Sequence, residues 1–109
     1  MARLRSDLVV AAILRRAQIA GVPAVLRRRG AGEAGAIFIS VDRLNGLTDL
    51  YGPAPPSLEE DEAGTRRFDL VASLASPLEL GARMAREETF DSDLWWVEIE
   101  DRDGRNFAD

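Results

Sequence analysis

An α+β fold is what this 109-residue sequence predicts: a mostly antiparallel sheet of five or six strands with two packed helices, in the order α-β-β-β-β-α-β(-β). Three observations carry the prediction. Two segments have helical spacing with recognisable start signals. Several short segments alternate apolar and polar residues. Turn residues such as Asn45-Gly46 separate neighbouring alternating segments, the mark of antiparallel pairing.

Ser6 or Asp7 is placed to cap a first helix from about Leu8 to Ala20, with Gly21 and Pro23 as its stop. Val9, Ala12, Ile13, Ala17 and Ala20 form an apolar face broadened by Val10 and Leu14, so the helix should lie on a sheet. Arg15 and Arg16 cut the apolar run far below membrane-spanning length. Pro23 to Arg29 reads as the first strand, with Ala24 and Leu26 inward and Arg27 and Arg29 outward. The glycine-containing stretch after it reads as a hairpin connection. It leads into Ala36 to Asp42, where Ile37, Ile39 and Val41 alternate with Phe38 and Ser40. Asn45-Gly46 turns the chain into a short strand at Leu47 to Tyr51, completing an antiparallel meander.

A Pro-rich acidic loop follows at about 52–64, with Glu59 to Glu62 consecutive, and is the segment expected to be most mobile. Arg67 to Ala72 reads as a fourth strand. Ser76-Pro77-Leu78-Glu79 is a capping box with proline at the first helical position, opening a helix to about Glu88. Leu94 to Asp101 reads as another strand, and Asp103-Gly104 can turn it into a short last one through Asn106 and Phe107. The length suits one domain over residues 1–109.

Composition excludes more than it assigns. There is no Cys, His or Lys, and all 14 basic residues are Arg. Thiolate and imidazole metal sites, Ser-His and Cys-His nucleophilic pairs and lysine Schiff bases are therefore impossible. A P-loop of the usual kind lacks its lysine. What remains is chemistry by carboxylates, arginines, hydroxyls and an oxygen-bound ion. No cofactor is expected. The net charge of −5 conceals an asymmetry: residues 1–56 hold eight Arg against four acidic residues, and residues 57–109 hold six against fifteen.

RRRGAGEAGAIFIS, residues 27–40, contains a literal G-x-G-x-x-G at Gly30, Gly32 and Gly35. In dinucleotide sites that motif joins a strand to a helix, whereas here it leads into a strand. The glycines are read as turn residues. Arg27, Arg28 and Arg29 form a candidate anion- or partner-binding patch, because guanidinium groups bind phosphate and carboxylate bidentately. Alternation places Arg27 and Arg29 on one face and Arg28 on the other, with Phe38 as a cation–π platform. The plainer reading pairs these arginines with the chain's own acids at a sheet edge.

DSDLWWVEIEDRDGR, residues 91–105, is the second dense stretch. Trp95, Val97 and Ile99 form an apolar row assigned to the core. Trp96, Glu98 and Glu100 share the opposite face and form a candidate interface, if the second helix does not cover it. Glu98, Glu100 and Asp101 are the residues a magnesium-dependent hydrolase would use, although their spacing selects no particular chemistry.

SDLVVAAILRRAQIAG, AVLRRRG…AGAIFISVDRL, DLYGPAP and FDSDLWWVEIEDRDGR, taken in order, resemble a family of small alphaproteobacterial proteins, the domain-of-unknown-function family 1491. The resemblance covers nearly the whole chain. It implies a bacterial cytosolic protein with a small mixed α/β fold, and no activity, cofactor or catalytic residue comes with it.

The leading expectation is a non-enzymatic cytosolic interaction module that binds a protein partner or forms a homodimer, with no membrane involvement. The alternative is an anion or RNA binder through Arg27–Arg29 and Phe38, although the acidic balance disfavours nucleic acid. A third reading is the magnesium-dependent hydrolase on Glu98, Glu100 and Asp101.

Overall fold

The computed structural model describes residues 5–55 and 66–108. Its elements are α1 (Ser6–Ile19), β1 (Ala24–Arg28), β2 (Ile37–Asp42), β3 (Thr48–Pro53), β4 (Phe68–Ala75), α2 (Pro77–Phe90) and β5 (Trp95–Glu100). This is the predicted α+β order with five strands. The acidic residues Glu59–Glu62, expected to form a mobile loop, lie outside the described residues.

The sheet runs β1-β5-β2-β3-β4. The β2–β3 and β3–β4 pairs are antiparallel, as in the expected meander. The expected β1–β2 hairpin does not form. β5 inserts between them, antiparallel to β1 and parallel to β2. The physical reason lies in β5 itself. Trp95, Trp96, Val97 and Ile99 are all buried, so both faces of this strand are apolar for much of its length. Such a strand is stable only at the centre of a sheet covered on both sides.

The two helices supply that cover from opposite faces. α1 lays Val10 and Ile13 against Ile37, Ile39 and Val41 of β2 and Trp95, Val97 and Ile99 of β5. α2 lays Leu80 and Met84 against Phe38, Leu50, Leu94 and Trp96. Ile39, Val41, Val97 and Ile99 have no exposed surface, and each stabilises the fold by roughly 1.5–3 kcal/mol relative to exposure.

Helix ends differ in how they are satisfied. The capping box of α2 forms as expected: the Glu79 amide donates to Ser76 Oγ at 3.2 Å, and the Ser76 amide donates to Glu79 Oε1 at 2.8 Å. These bonds hold the Glu79 carboxyl below its usual range. α1 starts at Ser6, with Arg5 as an N-cap whose side chain pairs with Asp7 and makes no cap bond to the helix backbone, so neither Ser6 nor Asp7 caps it. The Gly32 carbonyl accepts from the Asp7 amide at 3.0 Å instead, and Glu33 O accepts from the Ser6 amide at 3.4 Å. The helix is capped by the backbone of the glycine loop.

No last strand forms at Asn106 and Phe107. Asp101 organises a turn there, its carboxylate accepting from the Asp103 and Arg105 amides at 3.2 and 3.0 Å. The chain then lies along α1, where Arg16 donates to the Phe107 carbonyl at 2.7 Å. Among the described residues, no helix is long and apolar enough to cross a membrane.

Candidate functional site

β1 is an edge strand, and its three arginines are distributed by a bulge. The register to β5 shifts between Leu26 and Arg28, so one extra β1 residue opposes the Val97–Trp96 step. The Arg27 guanidinium lies 4.4 Å from the centre of the Trp96 ring and donates to Glu98 Oε1 at 2.9 Å. Arg28 donates to the Ser92 carbonyl at 2.6 Å and stands 4.0 Å from Glu88 of α2. Arg29 lies 5.3 Å from the Trp95 ring. Trp95 and Trp96 occupy opposite faces, so Arg27 and Arg29 do too, contrary to the simple alternation expected for a strand.

The arginines stack on the tryptophans and not on Phe38. That ring is buried with Leu50 and Leu80, and its edge comes so close to Gly52 that a Cβ there would sit 2.8 Å from it. Trp96 is not an exposed hot spot either: α2 covers one side of it and Arg27 another, leaving 9% of its surface. Its indole Nε1 donates to Ser40 Oγ at 2.8 Å in the interior. The β1–β5 patch is therefore engaged mainly within the chain, although Arg28 Nε is buried without a hydrogen-bond partner. Stacking and the Arg27–Glu98 pair contribute about 0.5–1 kcal/mol each.

The glycine loop is no phosphate cradle, because its concave side already holds the Asp93–Trp95 backbone. The Ala31 amide donates to Asp93 O at 3.1 Å, and Trp95 Nε1 donates back to Ala31 O at 2.7 Å. A Cβ on Gly30 would collide with the Asp93 carbonyl and lie 2.6 Å from Leu94 O. Gly35, at φ +101°, meets the same carbonyl. The loop thus ties β5 to the start of α1, where Ser6 Oγ donates to Gly35 O at 2.9 Å.

The carboxylates suggested for metal or hydrolytic chemistry do not converge. Glu98 and Glu100 share a face, but Glu98 is held by Arg27 and Asp101 is turned into its own loop. Hydrogen bonds from the Arg105 guanidinium, opposed in part by burial, pull the Asp101 carboxyl down to about 2. Such a group is no proton donor near neutrality. Among the described residues no three metal-ligating side chains come together.

Sequence reasoning missed a cleft between α2 and the β4 edge. It measures about 470 Å³, with a floor of Leu50, Ala72, Ala75 and Leu80, and with Arg83 and Arg86 on its rim. Arg83 is tied to Glu87 at 2.7 Å. Arg86 makes no ion pair among the described residues. Helical spacing put Leu80 and Met84 on one face and Arg83 and Arg86 beside it, but the cleft needs β4 as its other wall. A second cleft of about 440 Å³ lies beside the glycine loop, where Arg66 donates to Gly35 O at 3.4 Å.

Fold and site together define a small α/β/α protein whose charged motifs make most of their contacts within the chain. The chain belongs to the DUF1491 family, described as a protein of unknown function, whose model matches residues 4–109. It is similar to an Agrobacterium tumefaciens protein solved in solution, at 44% identity over 90% of this chain and 86% of that one, with a TM-score of 0.79. A crystal structure of a DUF1491 family protein from Caulobacter crescentus is 36% identical, covering 95% and 91% of the two chains at a TM-score of 0.77. No curated protein matches.

Proposed function

We propose that the protein is a non-enzymatic cytosolic interaction module whose working surface is the α2–β4 side. The observation that carries this reading is a contrast in how the two kinds of surface are used. The conspicuous charged groups are engaged within the chain: Arg27 with Glu98, Arg43 with Asp49, Arg105 with Asp101. Apolar side chains on α2 and on the end of β4 beside it are not, with Leu78 and Phe90 exposed at 84% and 86% and Leu74 at about half. Apolar and aromatic groups beside an open cleft suit a protein partner or a second copy. Anion or RNA binding through Arg27–Arg29 is less well served, since Arg27 and Arg28 already face Glu98 and Glu88.

Site-specific photocrosslinking tests the reading. A photoreactive residue placed at Ser73 on the cleft, at Val25 on β1 or at Ala11 on α1 is irradiated in bacterial lysate, and adducts are identified by mass spectrometry. A discrete protein adduct from Ser73, absent from the other two positions, is expected. Absence of any protein adduct from Ser73 overturns the proposal.

A further inference from the structure

We infer that the α2–β4 cleft receives a second copy of this chain, with the two α2 helices antiparallel and Phe90 of each copy seated in the cleft of the other. The inference deepens the interaction reading and rests on it.

Glu79, Ala82, Arg83 and Arg86 line the cleft and so mark one flank of α2. Phe90 stands four residues beyond Arg86 and seven beyond Arg83, on that same flank. It is 86% exposed and sits past the cleft's end. A projecting aromatic ring and an apolar-floored cleft thus lie side by side on one helix flank. The ring does not fill its own cleft, whose lining ends at Arg86, one helical turn back. A copy related by a two-fold axis places each ring at the other's cleft, since an isologous interface pairs the same patch with itself.

Charge supports the same geometry. Glu79 and Arg86 are seven residues apart, about 10 Å along the axis. A two-fold axis near Ala82, midway between them, sets Glu79 of each copy opposite the partner's Arg86. Parallel helices would set like against like. Ala82, on the cleft flank at the centre of the contact, is small and exposed.

A 14-residue helix with one cleft wall is a patch at the lower end of stable interfaces, so the dimer is expected in the micromolar range. Sedimentation equilibrium of the full chain from 5 µM to 1 mM tests this, comparing wild type with Phe90→Asp and Arg86→Glu. Near-UV circular dichroism of the buried tryptophans confirms folding. A reversible dimer that weakens at least tenfold in Phe90→Asp is expected, with a smaller loss in Arg86→Glu. Because the chain has no cysteine, Ala82→Cys gives a second readout. It should oxidise to a covalent dimer, while Ala11→Cys on α1 should not. A wild-type monomer at 1 mM overturns this inference, as does a dimer indifferent to Phe90→Asp that leaves Ala82→Cys unlinked. A different protein crosslinked at Ser73 by a monomeric chain overturns it too, while leaving the interaction reading standing. Only the absence of every adduct from Ser73 removes both.

Discussion

Replacing glycines one at a time in the Gly30-Ala31-Gly32-Glu33-Ala34-Gly35 motif separates an architectural loop from a phosphate loop. In Gly30→Ala the new methyl would strike the Asp93 carbonyl and lie 2.6 Å from both Leu94 O and Trp95 Cδ1. The loop must then lift away from β5. Overpacking costs about 1–3 kcal/mol. Lifting also stretches the bonds from the Ala31 amide to Asp93 O and from Trp95 Nε1 to Ala31 O, at about 1 kcal/mol each. The expected loss is about 3–5 kcal/mol, a large part of a typical domain's ~5–15 kcal/mol. Gly35→Ala should lose at least as much, since its positive φ adds strain. Gly32→Ala should be neutral to within about 0.5 kcal/mol, because its nearest neighbours, Arg5 Nη2 and Asp7 Oδ2, lie 3.6 and 3.7 Å from the new Cβ. Urea denaturation followed by tryptophan fluorescence reads the series directly, since both indoles are buried. In a dinucleotide loop the middle glycine is the one that lets the backbone approach the pyrophosphate. Gly32→Ala as the most damaging change, or Gly30→Ala melting with wild type, would refute the reasoning.

Further predictions concern the polar groups of the interior and the arginine strand. Ser40→Ala leaves the buried Trp96 Nε1 without its acceptor and should cost about 1–3 kcal/mol in the same denaturation assay. Asp101, with its folded value pulled from 3.8 to about 2, contributes stability that is complete above about pH 4 and is lost as the pH falls toward 2. The shift corresponds to at most ~2.5 kcal/mol, and solvent screening at the half-exposed Arg105 reduces it to about 1 kcal/mol. Asp101→Asn should flatten that part of the acid melting curve, and an unchanged curve would count against the assignment. The Arg27/Arg28/Arg29→Glu triple variant loses two stacking contacts and sets new carboxylates beside Glu98 and Glu88. A destabilisation of about 2–4 kcal/mol is expected, so its loss of any binding is interpretable only alongside its melting curve.

Much of this protein was legible without coordinates. The alternation of Ile37, Ile39 and Val41 and the Trp95, Val97 and Ile99 row placed the α1-facing core. The Ser76–Glu79 box and Gly21 marked helix ends, because caps depend on neighbours within a few residues. The absence of His, Lys and Cys removed whole classes of chemistry. The arginine strand was legible as a charged sheet edge but not in its arrangement, since a single bulge cancels the period of two on which faces are assigned. Trp96 could be assigned a face, but not a cover.

Local signals therefore determined which residues form helices and strands, where those elements end, and which rows are apolar. Tertiary structure decided the position of β5 between β1 and β2, the occupant of the glycine loop, and the cleft between α2 and β4. Each of these depends on pairing segments far apart in the chain. Strand partners are chosen by how much apolar surface the whole sheet can bury, and that quantity exists only once both helices have settled on their faces.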